Sequence, residues 1–152
     1  MNIIQIISKY HNRNIYKKEK QITTLIKKNV NRRIIMHIKE FEAEYTYDYD
    51  LDVVNIEVKQ NYIHDKSIDL GFGIFLDFDK NQLPVNLEIV SASKIMGIDK
   101  KCLVDPDGNV TITIKKDIIE VEIVFKLKKE TESMQFTGLN QYRFPVSKVV
   151  LQ

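Results

Sequence analysis

Between Ile68 and Phe78 every second residue is large and apolar: Ile68, Leu70, Phe72, Ile74, Leu76 and Phe78, with Asp69, Gly71, Gly73, Phe75 and Asp77 between them and Ser67 just before. A helix would scatter such a series around its axis, whereas an extended chain points alternate side chains to opposite faces and collects it on one. The segment is expected as one long strand with a buried face. Ile119, Val121, Ile123, Phe125 and Leu127 repeat the rhythm against Glu120, Glu122, Val124 and Lys126, and Val110, Ile112 and Ile114 alternate with threonines just before them. These two stretches predict a hairpin turning near Lys115-Lys116-Asp117. Further strands are expected near 41–48, 52–59, 85–90 and 142–150, the last around Tyr142, Phe144, Val146 and Val150. Ser91 to Gly97 predicts a short helix near 92–97, with a serine cap before it and a glycine able to take positive φ after it. The fold class is mainly β, α+β at most: an antiparallel meander of about seven strands with that one short helix.

A chain of 152 residues suffices for one core. Its 43% hydrophobic and 29% charged residues exclude wholesale disorder and collagen-like repeats. No stretch approaches the roughly eighteen uninterrupted apolar residues of a membrane span. The apolar start from Asn2 to Ile7 is too short for a signal-peptide core and has cations after it rather than before it. A single cysteine, Cys102, suits a reducing interior, so a cytoplasmic location is expected, and without a neighbouring base it is an ordinary free thiol. His11, His37 and His64 lie far apart, and none has a second ligand at metal-site spacing, so neither zinc nor any cofactor is expected.

The net charge of +2 conceals two compositions. Residues 1–35 carry nine Lys/Arg and one acid, Glu19, and 20 of the 35 are Ile, Lys or Asn. Residues 36–152 carry fourteen Lys/Arg and twenty Asp/Glu, for −6. Ile22, Leu25, Ile26, Val30 and Ile34 recur at helical spacing with Lys17, Lys20, Lys27 and Lys28 opposite, which predicts a basic N-terminal helix suited to phosphate backbones or an acidic surface. Translation of A/T-rich noncoding DNA would give the same mixture. Because Met36 stands where the composition changes, a start at Met36 is the competing expectation. The division is therefore a 1–35 extension and a single β-rich domain over 36–152.

Three connections are acidic: Asp48 to Asp52, Asp77 to Asn81, and Asp105 to Asn109. Asp and Asn suit turns because their side chains bond to nearby backbone N–H groups and tolerate left-handed conformations. The sharper alternative is calcium, since Asp77, Asp79, Asn81 and Glu88 stand at the first, third, fifth and twelfth positions of an EF-hand loop. Gln82 occupies the sixth position, where the sharp turn requires glycine, and the flanks alternate as strands. Turn-forming is therefore the expected role and no metal is expected.

The stretch from Tyr47 to Gly97 resembles the family called domain of unknown function 2283. The resemblance rests on Tyr47-Asp48 and Asp52-Val53, then Leu70-Gly71-Phe72-Gly73-Ile74 and Leu76-Asp77-Phe78-Asp79, and finally Leu87-Glu88-Ile89-Val90-Ser91-Ala92-Ser93. Gln82 and Asn86 replace glycines usual in that pattern. The resemblance implies a small β-rich prokaryotic domain with no established catalytic activity, some of whose members look like antitoxin partners of small toxin-like proteins. It marks Tyr47, Asp48, Asp52, Gly71, Gly73, Asp77, Asp79, Glu88, Ser91, Ala92 and Ser93, and carries over no catalytic residue. The glycines are expected to permit close approach or a bulge, and Glu88 to point outward into solvent.

The nucleophile-elbow, phosphate-loop, dinucleotide and zinc-protease patterns are all absent from the sequence, so an enzyme is not expected. Association is, because an antiparallel sheet has edges that can accept another strand. The partners expected are a second copy or another protein, with an antitoxin-like partner of a basic protein as one alternative. Nucleic acid bound through residues 1–35 is the other.

Overall fold

Alternation over Val53–Val58, Pro84–Val90, Val110–Ile114 and Ile118–Lys126 places one oily face on each strand, and two such faces can be hidden only by stacking two sheets. The computed structural model describes residues 38–127 and 130–152, and shows that arrangement. The expected basic helix and the alternative start at Met36 fall outside the described residues. In chain order the elements are β1 (Ile38–Phe41), β2 (Ala43–Asp48), β3 (Val53–Val58), β4 (His64–Gly71), β5 (Ile74–Asp79), β6 (Pro84–Val90), helix α1 (Ala92–Met96) and a 3-10 turn (Lys100–Leu103). Strands β7 (Asp107–Ile114), β8 (Ile118–Lys126), β9 (Thr131–Leu139) and β10 (Ser147–Leu151) follow.

The front sheet has the order β2-β3-β6-β5-β4 and the back sheet β1-β10-β7-β8-β9. All pairings are antiparallel except β1 with β10. Val54, Ile56, Leu76, Leu87 and Ile89 of the front sheet and Ile112, Ile114, Val121, Ile123 and Val149 of the back sheet belong to one buried cluster. Each such side chain contributes about 1.5–3 kcal/mol on burial. Aromatic rings bridge the sheets: Tyr45 meets Phe125 edge-on at 5.8 Å. The chain changes sheets at Glu42, where the Ala43 N–H donates to the Gln152 carbonyl at 2.7 Å and the Gln152 N–H to the Phe41 carbonyl at 3.0 Å.

The mainly β class and the hairpin at Lys115-Lys116-Asp117 are as the sequence predicts, with Ile114 opposite Ile119. Several expectations differ. The single long strand over 68–78 is two strands, β4 and β5, folded at Gly71-Phe72-Gly73, where φ is 90°, 58° and 82°. Its alternation continues through the turn, but Phe72 is 90% exposed rather than buried. Among the described residues the strand count is ten in two sheets rather than about seven in one meander. Strand β9 was not expected, because its inward set of Glu132, Met134, Phe136 and Gly138 contains only two large apolar side chains.

The expected strand over 142–150 begins only at Ser147. Arg143 at φ 54° breaks the extension, and Asn140 holds the loop instead. The buried Asn140 Oδ1 accepts the Phe144 N–H at 2.8 Å, while its Nδ2 donates to the Phe144 carbonyl at 3.0 Å and the Lys115 carbonyl at 2.9 Å. That clamp turns Phe144 inward to stack on Phe78, with centroids 3.8 Å apart.

Candidate functional site

The β2–β3 turn begins as its acids predict: Asp48 Oδ1 accepts the N–H groups of Asp50 at 3.0 Å and Leu51 at 2.9 Å. Asp52, at φ 56°, ends it and reaches across to helix α1. Its carbonyl accepts the Ala92 N–H at 2.8 Å, and its carboxylate accepts the Ser93 N–H at 3.0 Å, the Ser93 hydroxyl at 2.7 Å and the Tyr47 hydroxyl at 2.7 Å. The helix is thus capped by Asp52, and the expected serine cap is corrected: Ser91 sits at the N-cap position at φ 56° and makes no capping bond with its side chain. Gly97 ends the helix at φ 66°, as expected.

Burial alone would raise the Asp52 carboxyl. The Ser93 hydroxyl, the Tyr47 hydroxyl, the Ser93 N–H and the nearby Lys100 charge outweigh it and hold the group below its ordinary value. The same contact acts oppositely on Tyr47, whose phenol is raised by burial and then by its bond to the Asp52 anion. Tyr47, Asp52, Ala92 and Ser93 therefore form a fixed structural joint with no free nucleophile or base.

Gly73 belongs to the same end of the front sheet. A Cβ there would lie 3.2 Å from the Val90 carbonyl oxygen and 3.6 Å from Ile95 Cδ1, so close approach requires glycine. Gly71 has open space around it but a φ of +90° and a register irregularity beside it, so it serves the turn. Between them Phe72 projects outward in a conformation rare for a bulky residue. Leu51, 71% exposed, stands on the neighbouring β2–β3 turn, and Val90 is exposed at the end of β6.

The outer face of the front sheet follows from register. One cross-strand row is Glu44, Glu57, Asn86, Asp77 and Ser67; the next is Thr46, Asn55, Glu88, Phe75 and Asp69. Neither row contains Lys or Arg. Glu44 and Glu57 stand directly opposite each other, a like-charge pair that is unfavourable in isolation. Glu88 points outward, but it is half-buried between Asn55 and Phe75 rather than open to solvent as expected. Glu57 accepts the Tyr62 hydroxyl; burial, that bond and the charges of Glu57 and Asp77 push the phenol up to about 12.

Asp77 is tied into this face. Its Oδ1 accepts the Ser67 hydroxyl at 2.6 Å, its Oδ2 accepts Asn86 Nδ2 at 3.0 Å, and His64 Nε2 lies 3.1 Å from Ser67 Oγ. The grouping of Ser, His and Asp invites comparison with a hydrolytic triad, but its wiring differs. The serine proton goes straight to the carboxylate, and the acid faces the same His64 nitrogen at 3.8 Å instead of orienting the ring from the other side. Sequence reasoning missed this network because its members come from three strands; only register brings Ser67, Asp77 and Asn86 into one row.

The four calcium candidates do not converge. Asp79 is buried and curls into its own hairpin, Oδ1 accepting the N–H groups of Asn81 and Leu83, each at 2.9 Å, and Oδ2 accepting Asn81 Nδ2 at 3.2 Å. Glu88 is opposite Phe75, four residues from Asp79 along β5 and so about 13 Å away at strand spacing. Gln82 takes φ 63°, a conformation that glycine holds without strain. Among the described residues no group of three or more His, Cys, Asp or Glu is arranged to hold a metal ion.

An open cleft of about 600 Å³ lies between the 3-10 turn and the β8–β9 end, lined by Lys101, Cys102, Asp105, Lys126 and Glu130 among others. Cys102 is exposed at its rim, and the lining contains no histidine to activate the thiol. No helix among the described residues is long and apolar enough to cross a membrane.

Fold and site together define a class: a two-sheet β-sandwich whose front sheet presents an acidic outer face beside an exposed phenylalanine. No protein-family model, curated protein or solved structure matches the chain.

Proposed function

We propose that this protein is a non-catalytic cytoplasmic binding module whose front sheet docks a basic protein partner. The observation that carries this is the outer face of that sheet, where Glu44, Glu57, Asp69, Asp77 and Glu88 project with no Lys or Arg in their rows. A cationic partner would relieve the opposed Glu44 and Glu57, and such complementarity steers encounter and excludes wrong partners. Phe72 at the sheet's end supplies what charge alone lacks, an aromatic anchor able to fill a pocket. The −6 charge over residues 36–152 favours the same kind of partner.

The resemblance to domain of unknown function 2283 supports a finer form of the proposal, in which the partner is a small basic toxin-like protein encoded beside this one. The test is co-expression with the neighbouring gene product, followed by co-purification at low and high salt. The wild-type chain should retain its partner at low salt and lose it at high salt, while Glu44→Lys/Glu88→Lys and Phe72→Asn should each abolish retention. Retention unchanged in those variants, or no retention by the wild type, overturns the proposal.

A further inference from the structure

Of the four strands that border the two sheets, three are defended against pairing. Strand β1 has only four residues, two of them charged. Strand β4 has register irregularities at His64/Lys66 and Asp69/Gly71 and carries Asp65, Lys66 and Asp69. Strand β2 carries Glu44 and Asp48 pointing outward. Short length, bulges and charge are the usual means of keeping an edge unpaired. Strand β9 has none of them: nine residues, unbroken register against β8, and one charged side chain, Glu132.

The open rungs of β9 can be counted. The Leu127 N–H donates to the Glu130 carbonyl at 2.8 Å and the Asn140 N–H to the Asp117 carbonyl at 3.0 Å, which marks Glu130 and Asn140 as hydrogen-bonded to the β8 side. Bonded and non-bonded pairs alternate along an antiparallel ladder, so the even-numbered residues between them also face β8. Thr131, Ser133, Gln135, Thr137 and Leu139 then direct their N–H and C=O groups away from the sheet, and no described strand pairs with them.

We infer that β9 pairs antiparallel with β9 of a second copy of this chain about a two-fold axis through Gln135, joining two back sheets into one. That register is the one in which all five outward rungs find partners: Thr131 opposite Leu139, Ser133 opposite Thr137, and Gln135 opposite itself, for about ten backbone hydrogen bonds. It is also chemically self-complementary. On the inner face Met134 meets the Phe136 of the second copy twice, covering half-buried apolar surface with a sulfur–aromatic contact. Glu132 falls opposite Gly138, so the only charge on the strand meets no like charge. A C2 dimer is the commonest symmetric homo-oligomer, and its interface places the same patch of each copy against itself. The pairing uses an edge of the back sheet and the acidic rows belong to the front sheet, so variants at Gln135 and at Glu44 and Glu88 test the two separately.

The full chain should sediment at twice its mass of 17.9 kDa. Gln135→Lys sets two ammonium groups against each other on the axis and should return the monomer mass, as should Gln135→Glu; mixing the two variants should restore the dimer, which also shows that both are folded. In a Cys102→Ser background, Gln135→Cys should cross-link under oxidation, because directly opposed Cα atoms at about 5.5 Å lie within disulfide reach. Thr137→Cys, displaced from its own copy, should not. A monomeric wild type, a dimer indifferent to Gln135→Lys, or equal cross-linking at both cysteines overturns the inference.

Discussion

The carboxylate of Asp52 holds Ser93 by two bonds, the N–H at 3.0 Å and the hydroxyl at 2.7 Å, across 41 residues of chain. A helix of five residues cannot hold itself in water, and this one stands because a β-turn from another part of the sheet caps it. Asp52→Asn keeps a side chain that tolerates φ 56° but removes the charge, and should cost about 1–2 kcal/mol near pH 7. A carboxyl held below its ordinary 3.8 stabilises the fold above that pH and ceases to do so as pH falls through the lower folded value. The gap between wild type and variant in urea unfolding should therefore narrow at the acid end; a gap constant with pH contradicts the assignment.

Phe72 pays for its exposure twice, with unburied ring and left-handed backbone. Asn is at ease in that conformation, so Phe72→Asn should raise stability by about 0.5–1 kcal/mol in thermal unfolding while abolishing partner retention. A destabilised variant would mean that the ring packs against the fold.

Two glycines should respond differently to the same methyl group. At Gly108 an added Cβ collides with the Val124 carbonyl oxygen and comes within 3.0 Å of Phe125 Cδ1, so Gly108→Ala should cost about 2–3 kcal/mol. At Gly97 nothing lies within 4 Å and only the φ of +66° resists, so Gly97→Ala should cost about 1 kcal/mol. Chemical denaturation of the pair separates collision from backbone strain.

Asn140→Ala leaves the buried Phe144 N–H and the Lys115 carbonyl without their side-chain partner, and should cost about 2–3 kcal/mol. Loss of the Phe78–Phe144 stack should be visible as a changed near-ultraviolet circular dichroism spectrum, with the far-ultraviolet strand signal intact.

Tyr62 gives an alkaline counterpart to Asp52. Its phenol, raised from 10.0 to about 12, holds a proton in the folded state that the unfolded chain releases sooner. Its contribution is intact below pH 10 and is lost as pH rises toward about 12. Tyr62→Phe should remove one tyrosinate absorbance step near pH 12, and the stability difference from wild type should shrink over that interval.

Period-two alternation made the β class, the β7–β8 hairpin and most strand positions legible in the sequence. It failed where a turn keeps the same parity. Phe72 follows the rhythm of Leu70 and Ile74, and nothing in that rhythm distinguishes a residue at the tip of a two-strand turn from one in the middle of a strand. The same parity misled at Tyr142, Phe144 and Val146, where one buried asparagine decides the path. Asp52 was legible as a turn residue but not as a helix cap, since its partner lies far along the chain. The row of Glu44, Glu57 and Asp77 was hidden for the same reason: it is a property of register, which no single strand contains.

Strand β10 occupies the slot between β1 and β7, and Ile38 finds Lys148 opposite it, 110 residues further on. All five strands of the front sheet come from residues 43–90, so in vectorial synthesis that sheet is complete while its opposite number still lacks a middle strand. Until Ser147–Leu151 leaves the ribosome the oily surface that Val149 and Leu151 will cover stays open, the kind of transient exposure that makes a nascent chain prone to aggregate.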